Sequence, residues 1–300
     1  MDGITDPACR ALVDEIGHPS ILYSEFVSAE GLCRNTKRLL RTFLTHQTKT
    51  PFIGQLFGAD PIAMQEASAI LLEQTSVSGI DINMGCPNRH VARKGGGAAL
   101  IKTPTLAQSL ISSVQQIVSK QKRPIGVSVK TRIGVDSIVT SSWIPALLET
   151  HLDAIALHGR TLKQLYTGNA DWIEIHKAAK LASDTTTLLL GNGDLQSLQD
   201  AQHHIKMHTP DGVLIGRATL GNPWVFVDTK PSIKERVAAA IRHCELFVAL
   251  TPNANPLSLR KHLARYIKGF PQAALVREHI MKIETVKETL DFLSVLSYSE

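Results

Sequence analysis

Five apolar runs in this chain each break off at a side chain that can donate or accept a hydrogen bond. Gln55 follows Ile53-Gly54, Asn83 follows Ile82, Lys130 follows Val129, His158 follows Leu157, and Asn192 follows Gly191. Successive residues of a strand point to opposite faces. Asp81 and Asn83 therefore share a face, as do Ser128, Lys130 and Arg132, and likewise Ala154, Ala156 and His158, while Ile80, Ile82 and Met84 point the other way. Any one of these polar residues alone is more often structural. Five strand ends of this kind, converging at one mouth, favour a site.

Cys86, between Gly85 and Pro87, adds a thiol to that mouth. The proline disfavours the helical region for the residue before it and holds the cysteine extended. An aspartate or histidine partner at motif distance is lacking, so a nucleophile gains little support. A neutral thiol, with an ordinary pKa of about 8.5, can instead donate a proton at pH 7. The rival role is packing. Against it stands the next segment, Arg89-His90-Val91-Ala92-Arg93-Lys94-Gly95-Gly96-Gly97, which reads as a basic, flexible loop suited to an anionic substrate. Further on, Gly191-Asn192-Gly193-Asp194 and Gly216-Arg217 follow the last two strand candidates. Glycines let backbone amides approach an anion, and an arginine adds a charge-assisted clamp. Turns use glycine anyway, but the loops after the last two strands of a parallel barrel are frequent phosphate sites.

The elements that must position these residues alternate. Strand candidates are 21–29, 51–58, 79–85, 124–133, 153–159, 186–191 and 212–216; helix candidates between them include 61–74, 105–120, 141–150, 172–183 and 195–207. Thr105 with Gln108 resembles a capping box at a helix start. Such alternation means right-handed βαβ units and a parallel sheet. A doubly wound open sheet is the rival, weakened because no G-x-G-x-x-G opens a helix. The expected fold class is α/β, a TIM (β/α)8-type barrel. Seven strands are countable where a barrel wants eight; Met1–Asp6 reads like a loop leaving a strand, so the first strand is expected to be truncated and to precede residue 1. From Pro231 the character changes to helices at 232–250, 255–268 and 271–296, punctuated by Pro252, Pro256 and Pro271. The expected division is a barrel over residues 1–230 and a small C-terminal helical domain over 231–300.

Composition bounds the rest. The 300 residues are 43% hydrophobic and 20% charged, which excludes disorder and fibrous repeats. No apolar run of about 18 residues is present, and Asp2, Asp6, Arg10, Asp14 and Glu15 leave no room for a signal-peptide core, so a cytoplasmic location without membrane contact is expected. Cys9, Cys33, Cys86 and Cys244 form no C-x-x-C pair, so neither a disulfide framework nor a thiolate metal site is expected. The net charge of +5 is unevenly spread. Between Ile82 and Val135 there is no Asp or Glu but nine Lys or Arg: Arg89, Arg93, Lys94, Lys102, Lys120, Lys122, Arg123, Lys130 and Arg132. Lys261, Arg265 and Lys268 fall at i, i+4 and i+7 in a second acid-free stretch, and Arg34, Lys37, Arg38 and Arg41 form a third stripe. Each stripe alone is commonly a solvated face; three beside one mouth look like a track for RNA.

Gly85-Cys86-Pro87 with Val91 and Gly95-Gly96-Gly97-Ala98-Ala99-Leu100 resembles the signature of the tRNA-dihydrouridine synthases. Around it fall Met1–Asp6, Gln55-Leu56-Phe57-Gly58, Asp81-Ile82-Asn83-Met84, Lys130-Thr131-Arg132, His158-Gly159-Arg160-Thr161, Asn192-Gly193-Asp194, Gly216-Arg217-Ala218, Asn222-Pro223-Trp224 and Arg260-Lys261-His262. The match runs in order over nearly the whole chain, and the wording around Asn83 and Arg260 is most like the B-type bacterial branch. In one departure, the family's apolar strand ending Ala-Pro-Met is here represented only by Met1.

The resemblance implies an FMN-dependent oxidoreductase acting on CH–CH bonds, which reduces C5–C6 of a uridine in tRNA to 5,6-dihydrouridine. Met1, Asp2, Gln55, Lys130 and His158 would contact the flavin, with Asn83 lining the same pocket. Asn192, Gly193, Asp194, Gly216 and Arg217 would hold the ribityl phosphate. Cys86 would protonate C5 after hydride passes from flavin N5 to C6, and NADPH or NADH would recharge the flavin. The uridine must be flipped out of its stack. Arg89, Arg93, Lys94, Arg132, Arg260, Lys261, Arg265 and Lys268 would meet the tRNA, the one macromolecular partner implied. A flavin barrel acting on a small pyrimidine-like metabolite is the alternative enzyme, with no use for a basic helical appendage. An RNA-binding module with an inactive barrel is the alternative outside enzymes, and a bound oxidised flavin would argue against it.

Overall fold

In a barrel each strand turns one face to the helices and the other to the interior, so polar residues on the inner face must find partners there. In the 79–84 run every residue is buried, with Ile80, Ile82 and Met84 on the helix face and Asp81 and Asn83 on the other. The computed structural model describes residues 3–44, 50–251 and 254–297; the site candidates Met1 and Asp2 and the boundary residue Pro252 lie outside the described residues. Among the described residues, seven strands form one parallel sheet in sequential order: β1 Leu22–Ser28, β2 Phe52–Phe57, β3 Gly79–Met84, β4 Gly126–Gly134, β5 Ala154–Thr161, β6 Leu188–Asn192 and β7 Gly212–Leu214. The sheet curls as a TIM-barrel-type fold does, with β1 and β7 as its edges.

Between and around the strands run α1 Pro7–Gly17, α2 Ala29–Arg34, α3 Thr36–Leu39, α4 Pro61–Gln74, α5 Arg89–Arg93, α6 Pro104–Val118, α7 Thr140–Leu148, α8 Trp172–Ala182 and α9 Leu198–His208. Four more follow: α10 Ile233–Leu250, α11 Arg260–Tyr266, α12 Ala273–Lys282 and α13 Val286–Ser297. None is long and apolar enough to cross a membrane, and no group of His, Cys, Asp or Glu among the described residues is arranged to hold a metal ion.

Several local expectations change. Thr103, not Thr105, stands at the N-cap of α6 and makes no side-chain cap bond; Gln108 reaches instead to the Ala146 carbonyl (2.8 Å) and Glu149 (2.9 Å). The capping box is at α10, where Ser232 and Glu235 cap each other's backbone. The helix expected over 271–296 is two helices. Ile283 turns extended, and the Thr285 hydroxyl accepts from Glu288 N at 3.2 Å to start α13. The T-x-x-E spacing of residues 285–288 carried that signal. The helix expected over 255–268 begins as the 3-10 turn Pro256–Leu259 and stops at Tyr266, which puts Lys268 off the helix and out of the i, i+4, i+7 stripe.

Two hydrophobic cores result, and α1 serves both. Its Cys9 and Val13 pack with the strands, while Ala8, Ala11 and Leu12 pack with Trp224 and the last four helices. Arg242 on α10 clasps Glu15 on α1 with bonds of 3.0 and 2.8 Å. Gly221, at φ +61°, lies so close to the Arg265 backbone that a Cβ would come within 2.6 Å of its carbonyl carbon. The helical module is thus fastened through α1 and the 3-10 turn Pro223–Phe226, both earlier in the chain than the expected boundary at 231.

Candidate active site

Strand register builds the mouth in layers. One row of Cα partners crosses Gln55, Asp81, Ser128 and Ala154; the next crosses Asn83, Lys130, Ala156 and Leu190; a third crosses Arg132, His158 and Asn192. Each row climbs two residues, so same-face side chains stack. Ala154 and Ala156 carry only methyl groups, which leaves room in the middle. A cavity of about 770 Å³ opens there, lined by Gln55, Asn83, Cys86, Lys130, His158 and Asn192, and it continues between the edges of β1 and β7 past Leu22, Leu190 and Leu214.

Below that cavity lies a polar chain. Gln55 Nε2 donates to Asp81 Oδ2 at 2.7 Å, Ser128 Oγ donates to Asp81 Oδ1 at 2.6 Å, and Asn83 Nδ2 donates to Gln55 Oε1 at 2.9 Å. The Asn83 side-chain oxygen accepts from Gly85 N (3.1 Å) and Cys86 N (2.8 Å). Burial pushes the Asp81 carboxyl up to about 6, against the pull of Ser128, Gln55 and Lys130. Burial, helped by Arg132 and opposed by Asp81, brings Lys130 down to about 7. Burial and then the charges of Lys130, Arg132 and Arg160 hold His158 far below the imidazole range, so its ring is neutral near pH 7.

Cys86 is buried at the cavity wall, 6% exposed. The segment after it is not the flexible loop expected from its composition. Asn88 caps α5 through its side chain, and Gly97, at φ +62°, is seated so that a Cβ would meet the Cys86 carbonyl oxygen at 3.0 Å. A side chain there would strain the backbone and press on that carbonyl, which glycine avoids. Arg89, Arg93 and Lys94 project from this short helix into solvent.

The glycine loops behave differently from one another. Gly193 has φ +140°, and a Cβ there would sit 2.4 Å from Ala170 Cβ. Asn192 lines the cavity, but its Nδ2 donates to the Leu214 carbonyl at 2.8 Å and so stitches β6 to β7. The Asp194 carboxylate cannot itself hold an anion. It accepts from Arg160 (2.9 and 2.6 Å), Arg217 (2.8 Å) and the Ala170 amide (2.8 Å), and these donors keep it below the usual carboxylate range although its burial acts the other way. Its effect is to aim Arg217, whose guanidinium also lies 5.1 Å from the centre of the Tyr166 ring. Gly216 and Arg217 line the cavity.

Two basic residues expected to meet nucleic acid are occupied elsewhere. Arg132 is 4% exposed and donates to Gly85 O (2.8 Å) and Thr161 O (3.2 Å), so it belongs to the cavity wall and not to an outer surface. Arg260 donates to Ile283 O at 2.7 Å and pins the α12–α13 turn. Lys261, Arg265 and Lys268 are exposed, the first two one turn apart on α11. Arg34, Lys37, Arg38 and Arg41 are spread over α2, α3 and the 3-10 turn Leu40–Phe43, because Asn35 interrupts the helix. Sequence inspection passed over Arg160, which is 2% exposed and ties β5 to the Asp194 loop, and Tyr166 at the mouth. Arg160 follows His158 by two residues and so shares its face, and it falls in the His158-Gly159-Arg160-Thr161 motif, both signals present in the sequence.

Fold and cavity together define a β/α-barrel-type enzyme with its site at the carboxyl ends of the strands. The family model described as dihydrouridine synthase (Dus) matches residues 1–299. A relative from Synechocystis sp. (strain PCC 6803), "Probable tRNA-dihydrouridine synthase 1", is 31% identical over 306 residues, covering 98% of this chain and 83% of that protein. "Probable tRNA-dihydrouridine synthase" of Mycobacterium tuberculosis is 32% identical over 319 residues, 96% of this chain and 78% of its own. A protein of the same name from Treponema pallidum is 31% identical over 284 residues, covering 89% and 82%. The chain belongs to the dihydrouridine synthase family.

Proposed function

We propose that this chain reduces a uridine of tRNA to dihydrouridine in the cytoplasm, with FMN as its cofactor and NADPH or NADH as the source of electrons. The observation that carries this is one cavity in which the Cys86 thiol, the Lys130 ammonium and the neutral His158 ring meet below the Arg217 and Gly193 loops. The donor set suits FMN. Arg217 and the amides of the 193–194 loop suit the phosphate, while Gln55, Asn83, Lys130 and His158 offer hydrogen bonds to the edge of a planar ring. A flavin held there supplies hydride. Cys86 holds a proton on Sγ for uracil C5, its backbone fixed through Asn83. His158, being neutral, can donate from one ring nitrogen and accept at the other. Neither His158 nor Cys86 adds a cation, so Lys130 and Arg132 supply the positive charge that would stabilise negative charge on uracil.

The test is direct. The purified chain, incubated with FMN, NADPH and tRNA lacking dihydrouridine, is expected to introduce dihydrouridine, read by mass spectrometry of the digested RNA. Its absence under conditions where the chain retains flavin would set this function aside.

Two further results are expected. Lys130 loses its proton as pH rises through about 7, so affinity for an anionic ligand is highest below that value and falls above it. A charge-assisted bond contributes about 1.5–3 kcal/mol, so FMN should bind roughly tenfold or more weakly at pH 9 than at pH 6, and Lys130→Met should flatten the profile. Flavin fluorescence quenching reads both; a wild-type Kd constant from pH 6 to 9 would count against the lysine contact. For RNA, Lys261→Glu with Arg265→Glu should raise the Kd for tRNA and lower the slope of log K against log salt by about 0.9 for each phosphate no longer neutralised. An unaltered slope would place the RNA on another face.

A further inference from the structure

We propose that Asp81 is a positioning residue: as the acceptor that anchors Gln55, it fixes Asn83 and through it the backbone seat of Cys86. The inference rests on reading the cavity as the place where uridine is reduced. Asp81 is fully buried, on the strand layer below the one that reaches the mouth, so it acts through its neighbours.

The chain of bonds has one self-consistent sense. An ionised carboxylate can only accept, so the group Gln55 turns toward Asp81 Oδ2 must be its NH2, 2.7 Å away. Gln55 Oε1 then faces Asn83 Nδ2 at 2.9 Å. At the far end the Gly85 and Cys86 amides can only donate, so the Asn83 atom they meet, at 3.1 and 2.8 Å, must be its oxygen. The requirement set by Asp81 and the requirement set by the backbone agree. Turning over either amide would bring like groups together in the middle of the chain, N–H against N–H or oxygen against oxygen. Gln55 is 8% exposed and Asn83 7%, so water cannot readily stand in for a missing partner, and an unpaired buried group is destabilising.

Two consequences follow for the cavity. Gln55 keeps a lone pair and Asn83 keeps an N–H beyond those already used, so a planar ring meets an acceptor beside a donor in a fixed order. The Cys86 backbone is held by a side chain that is itself held, which keeps the thiol at one place on the wall. Ser128 does not set the sense, because its hydroxyl can rotate to donate or accept.

Asp81→Asn retains an acceptor toward Gln55 while its new NH2 can donate to Ser128 Oγ. Asp81→Val retains none. Gln55→Met keeps the reach of the side chain and removes both amide groups. Two readouts apply to the full chain: hydrogen exchange of the Gly85 and Cys86 amides, and the rate of dihydrouridine formation with FMN and NADPH. Asp81→Asn is expected to keep amide exchange within about threefold of wild type and to keep most of the rate. Asp81→Val and Gln55→Met are each expected to speed exchange at Gly85 and Cys86 at least tenfold and to lower the rate at least tenfold. If the valine variant does not fold, the other two decide. Exchange at Cys86 unmoved by Gln55→Met, or accelerated in Asp81→Asn as fully as in the others, would overturn the anchoring role. A wild-type chain forming no dihydrouridine would instead defeat the proposed function, while the exchange measurements would still decide whether Asp81 anchors the chain.

Discussion

Cys86→Ala is expected to leave flavin binding and NADPH oxidation near wild type while lowering dihydrouridine formation by about 10²- to 10⁴-fold, the usual contribution of a positioned general acid. The thiol lies at the cavity wall, and what holds the wall there is backbone: the Gly85 and Cys86 amides on Asn83, the Ala98 amide on the Cys86 carbonyl at 3.3 Å, and Gly97 packed against that carbonyl. These contacts are made by the backbone and by Gly97, so they survive the loss of Sγ. The buried position leaves little room for a solvent proton to replace the missing one. Stopped-flow traces of flavin reduction by NADPH, and of reoxidation by tRNA, separate the two half-reactions. A variant that reoxidises at the wild-type rate would remove Cys86 from the acid role.

Asp194→Ala is expected to cost the largest stability, about 3–5 kcal/mol, because it leaves the 2% exposed Arg160 guanidinium without its carboxylate. Among the described residues, the Gly168 carbonyl, at 2.6 Å, and the weak His158 contact would remain for that cation. Asp194 also stands at φ +59°, where alanine adds strain of about 1–2 kcal/mol. Asp194→Asn tolerates that backbone and keeps one acceptor, so the gap between the two variants separates the ion pair from the strain. Urea unfolding should show a lower midpoint with an unchanged slope; a shift below about 1 kcal/mol for alanine would mean that Arg160 finds another partner. The pH dependence has a definite sign. Asp194 is held below its ordinary value, so its contribution is intact above about pH 4 and disappears as pH falls through the depressed folded-state value.

Much of the architecture was legible beforehand because strand and helix periods differ. The apolar runs ending at Gln55, Asn83, Lys130, His158 and Asn192 are strands β2 to β6, with ends within three residues of those expected. The alternation that put Ser128, Lys130 and Arg132 on one face holds, since all three are on the inner layers of β4. Less could be read where a short helix depends on a cap or a neighbour. The glycine-rich segment after Cys86 looked flexible because glycine weakens local preference, yet Asn88 and the close packing of Gly97 give it a definite shape. The break at residues 283–285 was marked only by the T-x-x-E spacing, because Ile283 and Val286 continue the apolar pattern across it.

What the order of residues determined by itself was periodic and local: parallel strands, the side chains at their ends, and the motif that places the chain in its family. Tertiary structure alone decided which charged groups are available. Arg132 and Arg260 look in the sequence like Lys261 and Arg265, but the last two are exposed while the first two turn their guanidinium groups to carbonyls that distant segments bring to them. Asp194 likewise sits in a phosphate-like loop by sequence and becomes an arginine clamp only once β5 and the 217 turn close around it. A charge acts over a few ångströms of low-dielectric space, and those distances exist only after the chain has folded.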